Sequence, residues 1–147
     1  NLQTVWLWPN IDAGANQISK TLRTYREANK INNISFFKNF EPHDYLMLLK
    51  NCKCLVGNSS SAIREGSFLG IPSVNIGNRQ SSREHGKNLI TVKDAKEEIY
   101  KAINIQLSKK KYKSEKIFGD GNSAEKMIKV IEKLDVNFDV KKNLFYD

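Results

Sequence analysis

Short β-prone runs alternate with segments of helical periodicity along almost the whole chain. That alternation constrains the fold more than any other feature. Thr4-Val5-Trp6-Leu7-Trp8 is rich in β-branched and aromatic residues and is stopped by Pro9. Ile34–Phe37, Lys53–Val56, Ser73–Ile76 and Asn88–Val92 repeat the pattern. Between them, Ala15 to Asn29 carries Ile18, Leu22 and Tyr25 at helical spacing. Pro42 or His43 opens a helix through Leu49. A third runs from about Ser61 to Leu69 and closes on Gly70, with Pro72 beyond. Asp94 is placed to cap a fourth, to about Leu107, and a last spans Ser123 to Leu134. The apolar Cys54-Leu55-Val56 predicts a buried third strand. The alternation predicts an α/β fold, a Rossmann-like doubly wound parallel sheet covered on both faces. In such sheets ligands bind beyond the carboxyl ends of the strands, so the segments after each strand are where function is expected.

A chain of 147 residues fits a single domain, 1–147, with a proper core. No apolar stretch approaches the roughly 20 residues needed to cross a bilayer, so no membrane partner is expected. The chain begins close to a strand, without a signal peptide or an initiator methionine, and reads as a piece of something longer. Cys52 and Cys54, one residue apart, suit neither an unstrained disulfide nor a zinc site. With two histidines in all, no metal is expected, and two thiols fit a reducing cytoplasm. The net charge of +8 is unevenly spread: residues 1–89 hold 11 Lys/Arg against six acids. That shortage of carboxylates suits a phosphate-bearing ligand, or marks only a solvated basic surface. Nucleic-acid binding would need a module or interleaved aromatics, and neither is present. Lys109-Lys110-Lys111-Tyr112-Lys113 reads as a solubilising loop between helices.

The run Gly57-Asn58-Ser59-Ser60-Ser61-Ala62-Ile63-Arg64-Glu65-Gly66 follows the third strand. Small residues and hydroxyls at a strand-to-helix junction can hold a phosphate; a serine helix cap is the equal alternative. Neither the glycine-rich dinucleotide fingerprint nor the Walker lysine is there. Glu65 could accept both ribose hydroxyls, or lie on a helix surface. The loop Gly77-Asn78-Arg79-Gln80-Ser81-Ser82-Arg83-Glu84 offers two arginines for phosphate oxygens. In Phe40-Glu41-Pro42-His43-Asp44-Tyr45, Tyr45 could stack on a base, or pack in the core. Asn10, in a polar loop after the first strand, could touch the ligand or cap a helix.

Taken together these segments resemble the C-terminal half of the hydrolysing, non-phosphorylating UDP-N-acetylglucosamine 2-epimerases, sialic-acid-pathway type. The resemblance rests on Pro9–Gly14, Gly57–Ser60, Ile63–Glu65, Phe68–Gly77, Arg79-Gln80, Arg83-Glu84 and Lys116–Asn122, in that order. It implies the nucleotide-binding half of a two-domain, glycosyltransferase-B-like enzyme. It further implies Ser59, Ser60 and Arg79 on the UDP phosphates, with Arg83 and Asn10 beside them. Glu65 would hold the ribose, and Phe40 and Tyr45 would address the uracil. The implied reaction eliminates UDP across C1–C2 of UDP-N-acetylglucosamine. Water then adds to the 2-acetamidoglucal to give N-acetylmannosamine, with no cofactor. The implied partners are the missing N-terminal domain and further copies of the full-length protein. Catalytic acid and base residues would lie in that domain, so none is assigned in this chain. The isolated chain is expected to bind UDP weakly and to be inactive.

One departure concerns regulation. Lys20 and Arg23 stand where the animal enzyme's feedback site carries two arginines, and Lys38-Asn39 lacks a histidine expected there, so feedback by CMP-sialic acid is not expected. Three alternatives stay open: an epimerase for UDP- or GDP-linked 2,4-diacetamido sugars, a glycosyltransferase donor domain, and a non-enzymatic binding domain.

Overall fold

The computed structural model describes residues 2–9 and 14–134. The chain forms two compact units, Asn1–Cys52 and Lys53–Asp147, each taken by itself below.

In the first unit, β1 (Thr4–Leu7) pairs in parallel with β2 (Ile34–Phe37), from Thr4 opposite Ile34 to Leu7 opposite Phe37. The helix α1 (Ala15–Ala28) is the crossover a parallel pair requires. Aromatic rings hold the unit together. Trp6 and Trp8 lie 6.3 and 6.4 Å from Phe36, and the guanidinium of Arg26 sits 4.5 Å above that ring. Arg23 lies 5.8 Å over Trp8. The helix α2 (Pro42–Asn51) starts at Pro42, whose fixed φ and missing N–H suit a first turn, and buries Leu49. On α1 only Leu22 of the predicted apolar stripe is buried; Ile18 and Tyr25 are half exposed.

The second unit is a three-stranded parallel sheet in the order β3-β4-β5: β3 (Leu55–Gly57), β4 (Ser73–Ile76) and β5 (Leu89–Val92). Leu55 lies opposite Ser73, and Ser73 opposite Leu89. The central strand carries the core: Ser73, Val74 and Asn75 are buried alongside Ala62, Ile63 and Ile71. The third strand, expected to be buried, is an edge here, and its Val56 is exposed. The helix α4 (Lys96–Leu107) packs on β4 and β5. Asp94 does not cap it. Ala95 holds the cap position, and the Glu98 carboxylate reaches back to accept the Lys93 N–H at 3.3 Å. That bond lies ahead of the first turn, and no side chain caps the helix itself.

Polar side chains also fasten this unit. Gln106 of α4 is fully buried; its Nε2 donates to the Ser73 carbonyl at 2.8 Å and the Asn88 carbonyl at 2.9 Å. Its Oε1 accepts from the Tyr112 hydroxyl at 3.0 Å. Tyr112 belongs to the predicted solubilising loop. The lysines around it are exposed, but its N–H donates to the Gly70 carbonyl at 2.8 Å, so the segment also straps α4 to the residue that follows Leu69. Gly70 closes α3 (Arg64–Leu69) in the left-handed region, φ 66°, as expected of a C-terminal glycine. A Cβ there would strike the Tyr112 carbonyl.

The last helix, α5 (Ser123–Ile131), follows Gly119–Asn122. Asp120 accepts from the Asn122 N–H at 3.1 Å, and both of its carboxylate oxygens accept from the Lys126 ammonium, at 3.0 and 3.1 Å. The hydrogen bond from Lys126 and the one from Asn122 hold its carboxyl down to about 2.

Candidate nucleotide site

The junction after β3 is a 3-10 turn over Ser60–Ala62 that leads into α3, not the uninterrupted helix from Ser61 that the sequence predicts. Ser59 caps the turn: its Oγ accepts from the Ser61 N–H at 3.3 Å, and its carbonyl accepts the Ala62 N–H, also at 3.3 Å. The cap does not exclude a phosphate, because a hydroxyl that accepts from one amide can still donate its own proton to an anion. Ser59 is exposed, Ser60 and Ser61 half-buried.

Glu65 is the second residue of α3 and half-buried. Its Oε2 is shielded from solvent and has no hydrogen-bond partner. Shielded carboxylate oxygens nearly always find a donor. Glu65 shares this state with the buried amide oxygens of Asn75, Gln80 and Asn88, and is the one carboxylate among them.

The loop after β4 closes on the serine junction. Gln80, 5% exposed, donates from Nε2 to the Asn58 carbonyl at 2.8 Å. Two local turns shape the loop, Ser81 N–H to the Asn78 carbonyl at 3.0 Å and Arg83 N–H to the Gln80 carbonyl at 3.1 Å. Arg79 and Arg83 are both exposed. The structure thus brings Ser59, Ser60, Glu65 and the Arg79–Arg83 loop onto one end of the second unit, beyond the carboxyl ends of β3 and β4, as expected for such sheets.

Phe40 and Tyr45 form part of the first unit. Phe40 is half-buried against Phe37, with centroids 4.8 Å apart, and Tyr45 is half-buried in the first turn of α2. Asn10 lies outside the described residues.

Sequence reasoning missed the groups that hold the serine junction from behind. Asn88, 2% exposed, donates from Nδ2 to the carbonyls of Ala62 at 3.1 Å and Ile71 at 2.9 Å, tying the end of the 3-10 turn to the start of β4. Gly66 lets α3 approach this amide; a Cβ there would lie 3.1 Å from Asn88 Nδ2 and 3.2 Å from the Ser61 carbonyl. An asparagine beside a strand usually marks a turn, so only its burial shows it to be a clamp. Among the described residues no cluster of three or more His, Cys, Asp or Glu could hold a metal, and no helix is long and apolar enough to cross a membrane.

The family model described as UDP-N-acetylglucosamine 2-epimerase matches residues 1–132. The chain belongs to the UDP-N-acetylglucosamine 2-epimerase family. It is 34% identical over 128 residues to the UDP-N-acetylglucosamine 2-epimerase of Neisseria meningitidis serogroup B, covering 85% of this chain and 33% of that protein. It is 30% identical over 132 residues to the hydrolysing UDP-N,N'-diacetylbacillosamine 2-epimerase of Legionella pneumophila, covering 90% of this chain and 34% of that protein. The crystal structure of the Methanocaldococcus jannaschii UDP-GlcNAc 2-epimerase in complex with UDP-GlcNAc and UDP shares the fold. Its TM-score is 0.63 at 24% identity, over 82% of this chain and 34% of the other. This family member therefore spans about a third of the length of the relatives it matches, and its architecture is the Rossmann-like α/β fold of the family.

Proposed function

We propose that this chain is the UDP-binding half of a hydrolysing UDP-N-acetylglucosamine 2-epimerase that converts UDP-N-acetylglucosamine and water into N-acetylmannosamine and UDP. The observation that carries the reading is the partnerless Glu65 Oε2 beside a serine junction that Gln80 ties to an arginine-bearing loop. In the proposed site Glu65 accepts the ribose hydroxyls. Ser59 and Ser60 donate to the diphosphate, Arg79 and Arg83 add positive charge, and Asn10 lies near the phosphates. Phe40 and Tyr45 address the uracil.

In the proposed elimination a base takes the proton from C2 while the C1–O bond breaks and its electron pair leaves with UDP. The base and the acid belong to the part of the enzyme outside this chain. This half stabilises the leaving group: donors held in place beforehand meet a phosphate whose negative charge grows as the bond breaks. The full-length enzyme would work in the cytoplasm, as a homo-oligomer, in the synthesis of sialic acid or a related surface sugar. A second reading, an epimerase for a UDP- or GDP-linked 2,4-diacetamido sugar, is favoured by the Legionella relative and by a Campylobacter jejuni GDP/UDP-N,N'-diacetylbacillosamine 2-epimerase, 34% identical over 90 residues.

Calorimetry with UDP, UMP and GDP tests the proposal. UDP is expected to bind best. Ser59→Ala is expected to weaken UDP by about 1–3 kcal/mol, the range for a charge-assisted hydrogen bond. Unchanged affinity would remove Ser59 from the site, and absence of UDP binding would overturn the reading. The sugar of the product made by the full-length enzyme separates the two substrate readings.

A further inference from the structure

Gln80 stands out among the side chains after β4. It lies in a loop of exposed polar residues, yet it is 5% exposed, and it spans 22 residues of sequence to reach the Asn58 carbonyl at 2.8 Å. Asn58 immediately precedes Ser59, and Gln80 immediately follows Arg79. One hydrogen bond therefore joins the two loops one residue away from Ser59 and from Arg79. The turn from Arg83 N–H to the Gln80 carbonyl, 3.1 Å, carries the same anchor to the second arginine.

The chemistry of the side chain fits this task. The Asn58 carbonyl accepts only, so it fixes the amide with Nε2 toward it. Oε1 is then shielded and without a partner, and turning the amide over would set oxygen against oxygen. A carboxylate of the same length could not donate to the carbonyl. It would also place a negative charge beside the arginines and against the incoming phosphate. An apolar side chain would fill the space and leave the loops untied. A neutral donor is the choice that joins the loops and leaves the arginine charge intact.

We infer that Gln80 is a positioning residue that sets the spacing between the serine junction and the arginine loop, and hence the grip on a diphosphate. The inference rests on the proposed UDP site. Gln80 touches no reacting atom; it acts through Ser59 and Arg79. Only a ligand that bridges both loops should feel its loss.

The test compares Gln80→Met, which keeps the volume and removes the donor, with the unaltered chain. UDP is titrated by calorimetry and uridine by chemical-shift titration. UDP affinity is expected to fall about tenfold or more, while uridine stays within about twofold. A uniform loss for both ligands, or no loss for UDP, overturns the inference. Amide hydrogen exchange without ligand supplies a second readout. Exchange is expected to rise in 58–61 and 78–83 and to stay unchanged in α4. Unchanged exchange in both loops also overturns it. If the unaltered chain binds no UDP, the site assignment falls, and the exchange data still decide whether Gln80 ties the loops. If Gln80→Met fails to fold, Gln80→Ala carries the same measurements.

Discussion

Glu65→Ala separates a ligand-holding carboxylate from a structural one, because the two roles predict opposite changes in the free protein. The Glu65 Oε2 atom is shielded and partnerless. An unmet buried acceptor costs about 1–3 kcal/mol. Truncation removes that cost and also removes one methylene, Cγ, about 0.8 kcal/mol when fully buried. The residue is half-buried, so the packing loss is about half the full value, roughly 0.4 kcal/mol. Alanine is also the better helix former on α3. The free variant is therefore expected to be roughly 0.5–2.5 kcal/mol more stable than the parent. UDP binding is expected to move the other way. Two hydrogen bonds to a carboxylate contribute about 2–3 kcal/mol between them, so affinity falls about 30- to 150-fold. Urea unfolding measures the first effect and calorimetry the second. Substituting 2′-deoxy-UDP supplies an internal control: the parent discriminates against it, and Glu65→Ala does not. A variant destabilised by more than about 1.5 kcal/mol, with UDP affinity within about twofold of the parent, would refute the reasoning.

The remaining expectations concern the frame behind the site and the segment beyond it. Gln106→Leu keeps the volume but removes donors to Ser73 and Asn88 and the acceptor of Tyr112, so urea unfolding should show a loss of about 2–5 kcal/mol. Tyr112→Phe breaks only the last of these and should cost about 0.5–1.5 kcal/mol; equal losses in the two variants would mean that Gln106 is held by packing alone. For Asp120, whose carboxyl is held down from 3.8 to about 2, folding gains from the Lys126 pair above about pH 3.8 and loses that gain as pH falls toward 2. Acid titration of Asp120→Asn should therefore differ from the parent near neutrality and converge with it at the acid end. A constant difference across that range would show that the pair is not the cause.

The strands and helices were legible because their signals are local. Ile34–Phe37 and Ser73–Ile76 fall where β-branched and aromatic runs place them, and Gly70 ends its helix because the turn needs a positive φ. The errors share a cause. Asp94 is a capping residue type, but the cap position is set by where the backbone turns, and it falls one residue on, at Ala95. The third strand looked buried from its apolar run, but strand order decides burial, and β4 took the centre. Asn88 and Gln106 could not be read at all: their partners, Ala62, Ile71 and Ser73, lie 15 to 33 residues away. At the site, Glu65 and the serine run were visible as residue types. That a single glutamine draws the arginine loop to them was not, because one amide in a polar loop leaves no periodic trace.

The division of labour within the proposed UDP site follows from when each contact gains strength. Between residues 53 and 89 the acids are Glu65 and Glu84, against Lys53, Arg64, Arg79, Arg83 and Lys87, so the surroundings of the serine junction favour an anion before any bond breaks. The ribose hydroxyls carry the same charge in the ground state and the transition state. A Glu65 contact is therefore uniform binding, and its loss raises KM with little change in kcat. The phosphate is different: it gains charge as the C1–O bond lengthens. Donors already fixed by Asn88 from behind and by Gln80 from the side do not have to reorient as that charge appears. Loss of the Ser59 hydroxyl should then lower kcat of the full-length enzyme as well as UDP affinity. Steady-state kinetics of Ser59→Ala and Glu65→Ala side by side would show the split. If both variants changed KM alone, the serine junction would be a handle for the nucleotide and not an aid to its departure.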